Sequence, residues 1–389
     1  MTPYLPMAAN ALLLAAILAG LAYLLVAIRA VRAFPGRRAV APSLHPPPVT
    51  ILKPVCGQEH GLYENLRSFC EQDYPSFQVV FGVPGYGDPA IPVVERLIRE
   101  FPGLDAVLAV DDRGTGGNPK VANLANMYPH ARHDYLVIAD SDMRVDRTYL
   151  HSITAPFGDP QVGATTCLYS GTPAAGLPSI LGAMYVNDWF LPSVLVALTF
   201  QKLGFCLGAS MAVRRDALAA IGGFEALAPY LADDYMLGDM IRRSGYRICL
   251  SSYVVEGIIY EPDFRSLLAH ELRWARTIRA CRPAGYAFSF VGNGTVTLSA
   301  LFLLASGLVG TGAALLFFST ALRVALHSTV RSAVRIPGPA VPWLVPLRDM
   351  LCFAIWGASF FGRKVRWKGK RFSVRPDGQL TTEEELRNP

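Results

Sequence analysis

Tyr135-Leu-Val-Ile-Ala-Asp-Ser-Asp-Met-Arg144 is the stretch whose reading decides the fold. A short apolar run, Leu136 to Ala139, stops abruptly at two carboxylates, Asp140 and Asp142. The run has the length and β-branching of a buried strand. In an open α/β sheet, ligands gather at the carboxyl ends of the strands, which puts both acids at the mouth of a cleft. Two carboxylates one residue apart can share a hard divalent cation, and Mg²⁺ fills the rest of its shell with water and substrate phosphates. Alone, Asp-x-Asp fits an acidic turn after a strand equally well.

Working outward, the chain alternates strand and helix patterns. Val49 to Leu52 reads as a strand ending at Lys53-Pro54, and residues 60–72 as a helix with Leu62, Leu66 and Phe69 on one side. Phe77 to Val83 is a second strand, followed by a helix over 90–100. Ala106 to Val110 is a third, followed by a helix that Asn118-Pro119-Lys120 opens and that runs through Leu124. Such alternation predicts an α/β domain with a mostly parallel, doubly wound, Rossmann-like sheet. Further on, Gly204 to Val213 reads as a strand, Tyr230 to Arg243 as a helix opened by Asp233 and Asp234, and Tyr246 to Val255 as a strand. Phe264 to Ala280 reads as a helix carrying Arg265, Arg273, Arg276 and Arg279.

The ends of the chain are of another kind. Hydrophobic residues make up 52% of 389 and charged residues only 17%, well below the quarter or so of an ordinary soluble domain. Residues 9–28 carry no charge, enough to span a bilayer, and Arg29, Arg32, Arg37 and Arg38 follow at once. That asymmetry places the flank in the cytosol and predicts an uncleaved anchor over 1–32, since the basic residues of a signal peptide would precede the apolar run. Five prolines between Pro35 and Pro48 predict a stiff linker over 33–48. The globular domain is expected over 49–283.

Ala284 to Leu322 again lacks any charge, consistent with one tilted span or a hairpin broken at Gly310-Thr311-Gly312. Residues 341–361 are apolar except Arg348-Asp349. Each such charge costs about 2.5–3.5 kcal/mol at a bilayer centre, so an interfacial position or mutual pairing is expected. Arg323, Arg331 and Arg335 would occupy the loop between these segments. Membrane segments are therefore expected over 284–362, giving three spans in all. A basic cytosolic tail over 363–389 would follow, disordered from Thr381 to Pro389. The net charge of +6 sits largely beside the apolar segments, which points to anionic headgroups rather than nucleic acid. Seven scattered cysteines with no Cys-x-x-Cys read as reduced core thiols.

Four polar sites now stand in order: Asp88, Asp140-Ser141-Asp142, Asp233-Asp234-Tyr235 and Arg273-Trp274. This order resembles the inverting glycosyltransferases with a D, D, D, (Q/R)xxRW pattern, whose catalytic fold is GT-A. More narrowly, Ile51-Leu52-Lys53-Pro54, Asp73-Tyr74-Pro75, Asp88-Pro89-Ala90-Ile91, Asn118-Pro119-Lys120, Asn123-Leu124 and Asp233-Asp234-Tyr235 resemble the ceramide glucosyltransferases. Bacterial members of that group include glycosyltransferases of hopanoid lipid synthesis. The resemblance spans about residues 49–280 and the membrane layout.

The resemblance implies roles. Asp88 would contact the uracil or ribose of a UDP-sugar. Lys120 would reach the diphosphate as a point-charge phosphate binder. Asp140 and Asp142 would hold Mg²⁺ or Mn²⁺, although many relatives have Gly at the second position. Asp234 would be the general base that takes the acceptor proton as an oxocarbenium-like centre is attacked from the face opposite the leaving group. Asp233, a like charge beside it, would belong to the substrate site and raise one pKa of the pair. A plain helix start with acids in its first turn explains the same placement. Arg273 and Trp274 would hold the diphosphate and the acceptor, with His270 where the pattern has Gln or Arg. A literal Arg-x-x-Arg-Trp also occurs at Arg363 to Trp367, in a basic flank where Arg and Trp are expected anyway.

The expected activity is transfer of one sugar, glucose or N-acetylglucosamine, from a UDP-sugar to a hydroxyl of a membrane lipid of ceramide or hopanoid type. The domain would face the cytoplasm, as at a bacterial inner membrane. A processive polysaccharide synthase and a catalytically dead lipid-binding scaffold are the alternatives.

Overall fold

A computed structural model describes residues 6–35, 45–114, 117–367, 370–375 and 378–382. It divides into two compact units: Met1–Arg37 with Gly171–Gln201 and Glu261–Lys370, and Arg38–Ser170 with Lys202–Tyr260 and Arg371–Pro389. The expected 49–283 domain is thus interrupted, because 171–201 and 261–283 group with the apolar helices.

The α/β unit is built on one sheet. Its strands are β1 (Val49–Pro54), β2 (Phe77–Val83), β3 (Asp105–Val110), β4 (Tyr135–Ala139), β5 (Met143–Arg144), β6 (Val162–Pro173), β7 (Ser210–Arg214) and β8 (Arg247–Ile259), in the order β3-β2-β1-β4-β7-β6-β8-β5. The β3-β2-β1-β4 half is parallel. β7 then joins β4 antiparallel, and β6 joins β7 antiparallel. The parallel half is apolar on both faces because both are covered. Ile51, Val79, Phe81 and Val137 pack with the helices Leu62–Cys70 and Ile91–Glu100. Leu52, Val80, Leu136 and Ile138 pack on the other face with Pro119–Met127 and Asp233–Arg243. Strand alternation therefore sends neighbouring residues into opposite cores. Asp140 follows β4 and Asp142 precedes β5, so both acids lie at the carboxyl end of the parallel half, as the apolar run predicted.

The strand expected from Gly204 to Val213 begins only at Ser210. The preceding residues are used for close packing instead. A Cβ at Gly238 would lie 2.4 Å from Cys206 N, so the helix Asp233–Arg243 needs a glycine there to meet the 205–206 backbone. The long β6, which periodicity did not single out, fills the sheet between β7 and β8. Lys370–Val374 and Leu380–Thr382 pair antiparallel, so Thr381 and Thr382 are in a strand rather than a disordered tail. Residues 383–389, like most of the Pro-rich linker, lie outside the described residues.

The other unit is helical. Met7–Ala33, Leu177–Phe200 and Val309–Val334 are each long and apolar enough to cross a membrane. Pro283–Asn293 and Thr295–Ala305 would make a fourth, bent by 65°. Leu177–Phe200 was not foreseen; it is polar enough (Asn187, Asp188) to escape a hydropathy reading and contains a π turn at Val186–Phe190. Of the expected C-terminal spans, 341–361 holds a 3₁₀ turn at Pro342–Leu344 and the 15-residue helix Val345–Ser359.

The expected break at Gly310-Thr311-Gly312 is also corrected. Val309–Val334 runs straight through it, and the chain turns at Gly307, with φ 77°. Gly312 instead allows close helix contact, since a Cβ there would meet Leu303 Cα at 2.6 Å. Arg323 and Arg331 are in the helix, not in a loop. Arg348 and Asp349 do not pair with each other. Arg348 makes a bidentate pair with Glu271 at 2.7 and 2.6 Å, and Asp349 faces Arg323 at 3.4 Å. Burial removes the water that would solvate these charges, so each has found a partner on another helix.

Candidate active site

The site is assembled from five chain segments of the α/β unit. Asn118 caps the helix Pro119–Met127: its Oδ1 accepts from Lys120 N at 3.0 Å and Val121 N at 3.2 Å. Its Nδ2 donates to Tyr230 O at 2.8 Å and reaches Asp233 Oδ1 at 3.4 Å. One fully buried side chain thus closes the helix start and ties it to the segment leading into Asp233. The cap brings the Lys120 ammonium 2.6 Å from Asp140 Oδ1 and 3.6 Å from Asp233 Oδ2. Lys120, Asp140 and Asp233, picked from separate places in the sequence, meet at one point.

Asp234 is the next residue of the same helix start. Gly208 packs against it, and a Cβ at 208 would lie 2.9 Å from Asp234 Oδ2. Burial, then the neighbouring Asp233 carboxylate, push the Asp234 carboxyl up to about 6. Burial and Asp140 likewise raise Asp233, against the pull of Lys120. Lys120 itself is held above its ordinary range: burial opposes its charge, but Asp140 and Asp233 outweigh burial. Asp142 is pushed up to about 7 by burial first, then by Asp140 and Glu59.

Two groups that sequence reasoning missed complete the cluster. Lys53 is fully buried, with Nζ 2.5 Å from the Asp140 carbonyl and 3.7 Å above the Phe69 ring. Burial lowers its ammonium to about 7, against Asp140 and Asp142. Its position had a signal: Lys53 shares the parity of Val49 and Ile51, which face the Phe69 side of the sheet. Glu59 accepts the hydroxyl of Ser141, between the two acids of Asp-Ser-Asp.

The donors present fit a hard divalent cation. Lys53 acts on Asp140, Asp142 and Glu59, Lys120 acts on Asp140, Asp233 and Asp234, and burial first, then Asp140 and Glu59, holds the Asp142 carboxyl up. Among the described residues no group of three or more His, Cys, Asp or Glu side chains is placed to hold a metal ion. Asp140 and Asp142 offer two carboxylates, the number that a Mg²⁺ bound mainly by water and substrate oxygens takes from a protein.

The remaining sequence candidates are on other segments. Asp88, after β2, ties its loop to the one after β1, accepting from Gly57 N at 3.0 Å and from Ala90 N at 2.8 Å. His270, Arg273 and Trp274 sit on the helix Phe264–Cys281 of the helical unit. There His270 Nδ1 is 2.7 Å from Glu261 Oε1, the His270 and Trp274 rings are 4.1 Å apart, and Trp274 stacks on Tyr185 at 5.8 Å.

The sequence model of Glycosyl transferase family 21 matches residues 12–380. The chain belongs to glycosyl transferase family 21. It is 26% identical to Ceramide glucosyltransferase 3 of Caenorhabditis elegans over 268 residues, covering 65% of this chain and 58% of that protein. It is 29% identical to Ceramide glucosyltransferase 1 of the same organism over 213 residues, covering 53% and 44%. The chain thus spans about half the length of these two curated relatives. Against the ceramide glucosyltransferase of Pyricularia oryzae, identity is 23% with 87% of each chain covered. Among solved structures, the mannosyltransferase PcManGT from Pyrobaculum calidifontis, in complex with GDP-Man and Mn²⁺, superposes with a TM-score of 0.59 at 21% identity. That superposition covers 90% of this chain and 99% of the other, and it shows the GT-A fold.

Proposed function

We propose that this family 21 protein is a membrane-bound inverting glycosyltransferase. It moves one sugar, glucose or N-acetylglucosamine, from a UDP-sugar to a hydroxyl of a membrane lipid of ceramide or hopanoid type, with the α/β unit in the cytoplasm. The observation that carries the reading is the meeting of Asp140, Asp233 and Lys120 within 3.6 Å, beside Asp142 and Asp234. A buried, acid-rich cluster with a strongly held ammonium is what a nucleotide diphosphate and a deprotonated acceptor both need. The ceramide glucosyltransferase relatives support the lipid acceptor, and the Mn²⁺ in the PcManGT complex supports a divalent metal.

Asp140 and Asp142 would hold Mg²⁺ or Mn²⁺, which supplies charge neutralisation to the leaving diphosphate. Lys120, rigidly placed by the Asn118 cap, pairs with that diphosphate as it departs. Asp234 takes the proton of the attacking hydroxyl; its raised pKa makes it a stronger base than an ordinary carboxylate while leaving it ionised near neutral pH. Asp233 also faces the Lys120 ammonium, at 3.6 Å. By the resemblance, Asp88 contacts the nucleoside, Arg273 and Trp274 hold the diphosphate and the acceptor, and His270 belongs to the substrate site.

The test is Asp234→Asn, which keeps size and removes basicity. Sugar transfer should fall by about 10²–10⁴-fold with the melting temperature retained. Wild-type turnover in that variant would refute Asp234 as the base.

A further inference from the structure

Glu261 lies just beyond β8 and is 5% exposed. Its Oε1 is 2.7 Å from His270 Nδ1, and its Oε2 accepts the hydroxyl of Ser266. Its main chain is tied as well. Glu261 N donates to Ser179 Oγ at 2.8 Å, and that hydroxyl donates to the Glu261 carbonyl at 3.2 Å. The acid is not there to cap the helix Phe264–Cys281, because Asp263 does that, accepting from Ser266 N at 2.7 Å. Burying a carboxylate is costly, and what this one reaches is a histidine whose side chain is 33% exposed.

The chemistry of the pair follows. A carboxylate only accepts, so Nδ1 of His270 carries the proton and the neutral ring has its lone pair on Nε2. Among the described residues Nε2 has no hydrogen-bond partner. A phosphate oxygen, itself an acceptor, gains nothing from that lone pair, whereas a hydroxyl can donate to it. The Trp274 ring, 4.1 Å away and stacked on Tyr185, offers an apolar wall beside it.

We propose that Glu261 is a positioning residue: it fixes the His270 tautomer so that Nε2 accepts a hydrogen bond from a hydroxyl of the lipid acceptor. The inference rests on the transferase reading above and adds a determinant of acceptor binding to it.

The test uses the full chain in detergent, with a UDP-sugar and, in turn, ceramide and a hopanoid alcohol. Wild-type turnover is measured first; no turnover with any pair would overturn the transferase reading and this inference with it. His270→Asn keeps a donor toward Glu261 and removes Nε2. It should raise the acceptor KM about tenfold, with the donor KM within about twofold and the melting temperature unchanged. Glu261→Ala should raise the acceptor KM similarly, and Glu261→Gln, which keeps an oxygen on Nδ1, should recover most of the loss. Added to His270→Asn, Glu261→Ala should cost nothing further. An unchanged acceptor KM in His270→Asn would overturn the proposal. So would a full additional penalty in the double variant, which would make Glu261 merely structural. If Glu261→Ala fails to fold, His270→Asn and Glu261→Gln decide the matter.

Discussion

Adding one methyl group at Gly208 should slow sugar transfer without touching a charge. A Cβ there would stand 2.9 Å from Asp234 Oδ2, 3.2 Å from its Cγ and 3.5 Å from its Cβ. The last distance is an ordinary contact; the first is several tenths of an ångström too short. Gly208 does not have a left-handed φ, so alanine meets no backbone strain. The carboxylate must therefore yield by roughly half an ångström. A misplacement of about 1 Å can cost around 10²-fold in rate, so half of that predicts about tenfold, or about 1.4 kcal/mol in the barrier. The assay is kcat for UDP release with saturating donor, metal and lipid, beside a melting curve. Gly208→Ala should lose about tenfold in kcat and melt within a few degrees of wild type. Unchanged kcat would mean that the position of Asp234 is immaterial, and the assignment of the base would fall.

Three further outcomes follow from the same geometry. Asn118→Ala removes a cap worth about 1 kcal/mol, together with hydrogen bonds to part-buried Tyr230 O and to Asp233 worth about a further 1–3 kcal/mol. Chemical denaturation should show the α/β unit destabilised by about 2–4 kcal/mol, and a loss under 0.5 would refute the cap's role. Because burial raises the Asp234 carboxyl to about 6, the base is lost by protonation as pH falls through that value. The kcat/KM profile should be flat above it and drop about tenfold per unit below, and a limb centred near 4 would contradict this. Arg348→Met leaves Glu271 buried and unpaired, at about 3–5 kcal/mol, so unfolding of the helical unit in detergent should shift markedly. Wild-type stability there would show that Glu271 finds another partner.

Much of the α/β unit was legible because its residues obey simple periods. The two-faced burial of β1, β2 and β4 produces the continuous apolar runs that mark a parallel strand. The abrupt change from Ala139 to Asp140 marks where that burial ends. Lys53 was readable by parity, yet a lysine before a proline at a strand end looks like a solvated terminus. Gly208 and Asn118 were harder, since their meaning lies in distant partners, Asp234 and Tyr230, that only the fold brings near.

The helical unit was the less legible half. Gly310-Thr311-Gly312 reads as a break, but a glycine facing another helix lets backbones approach, and Leu303 fills the space. Arg323, Arg348 and Asp349 look like loop or interface charges until their partners, Asp349, Glu271 and Thr297, appear from other helices. No local pattern encodes those pairings.

The central claim is metal-dependent transfer from a UDP-sugar to a lipid. Its most direct test is UDP release by the purified full chain, given a panel of UDP-sugars and a lipid extract with Mg²⁺ or Mn²⁺. Release is expected with one donor, abolished by a chelator and restored by the metal, with a single glycosylated lipid seen by mass spectrometry. Release from no donor by folded protein would contradict it and favour a non-catalytic lipid-binding role, and a ladder of products would favour a processive synthase.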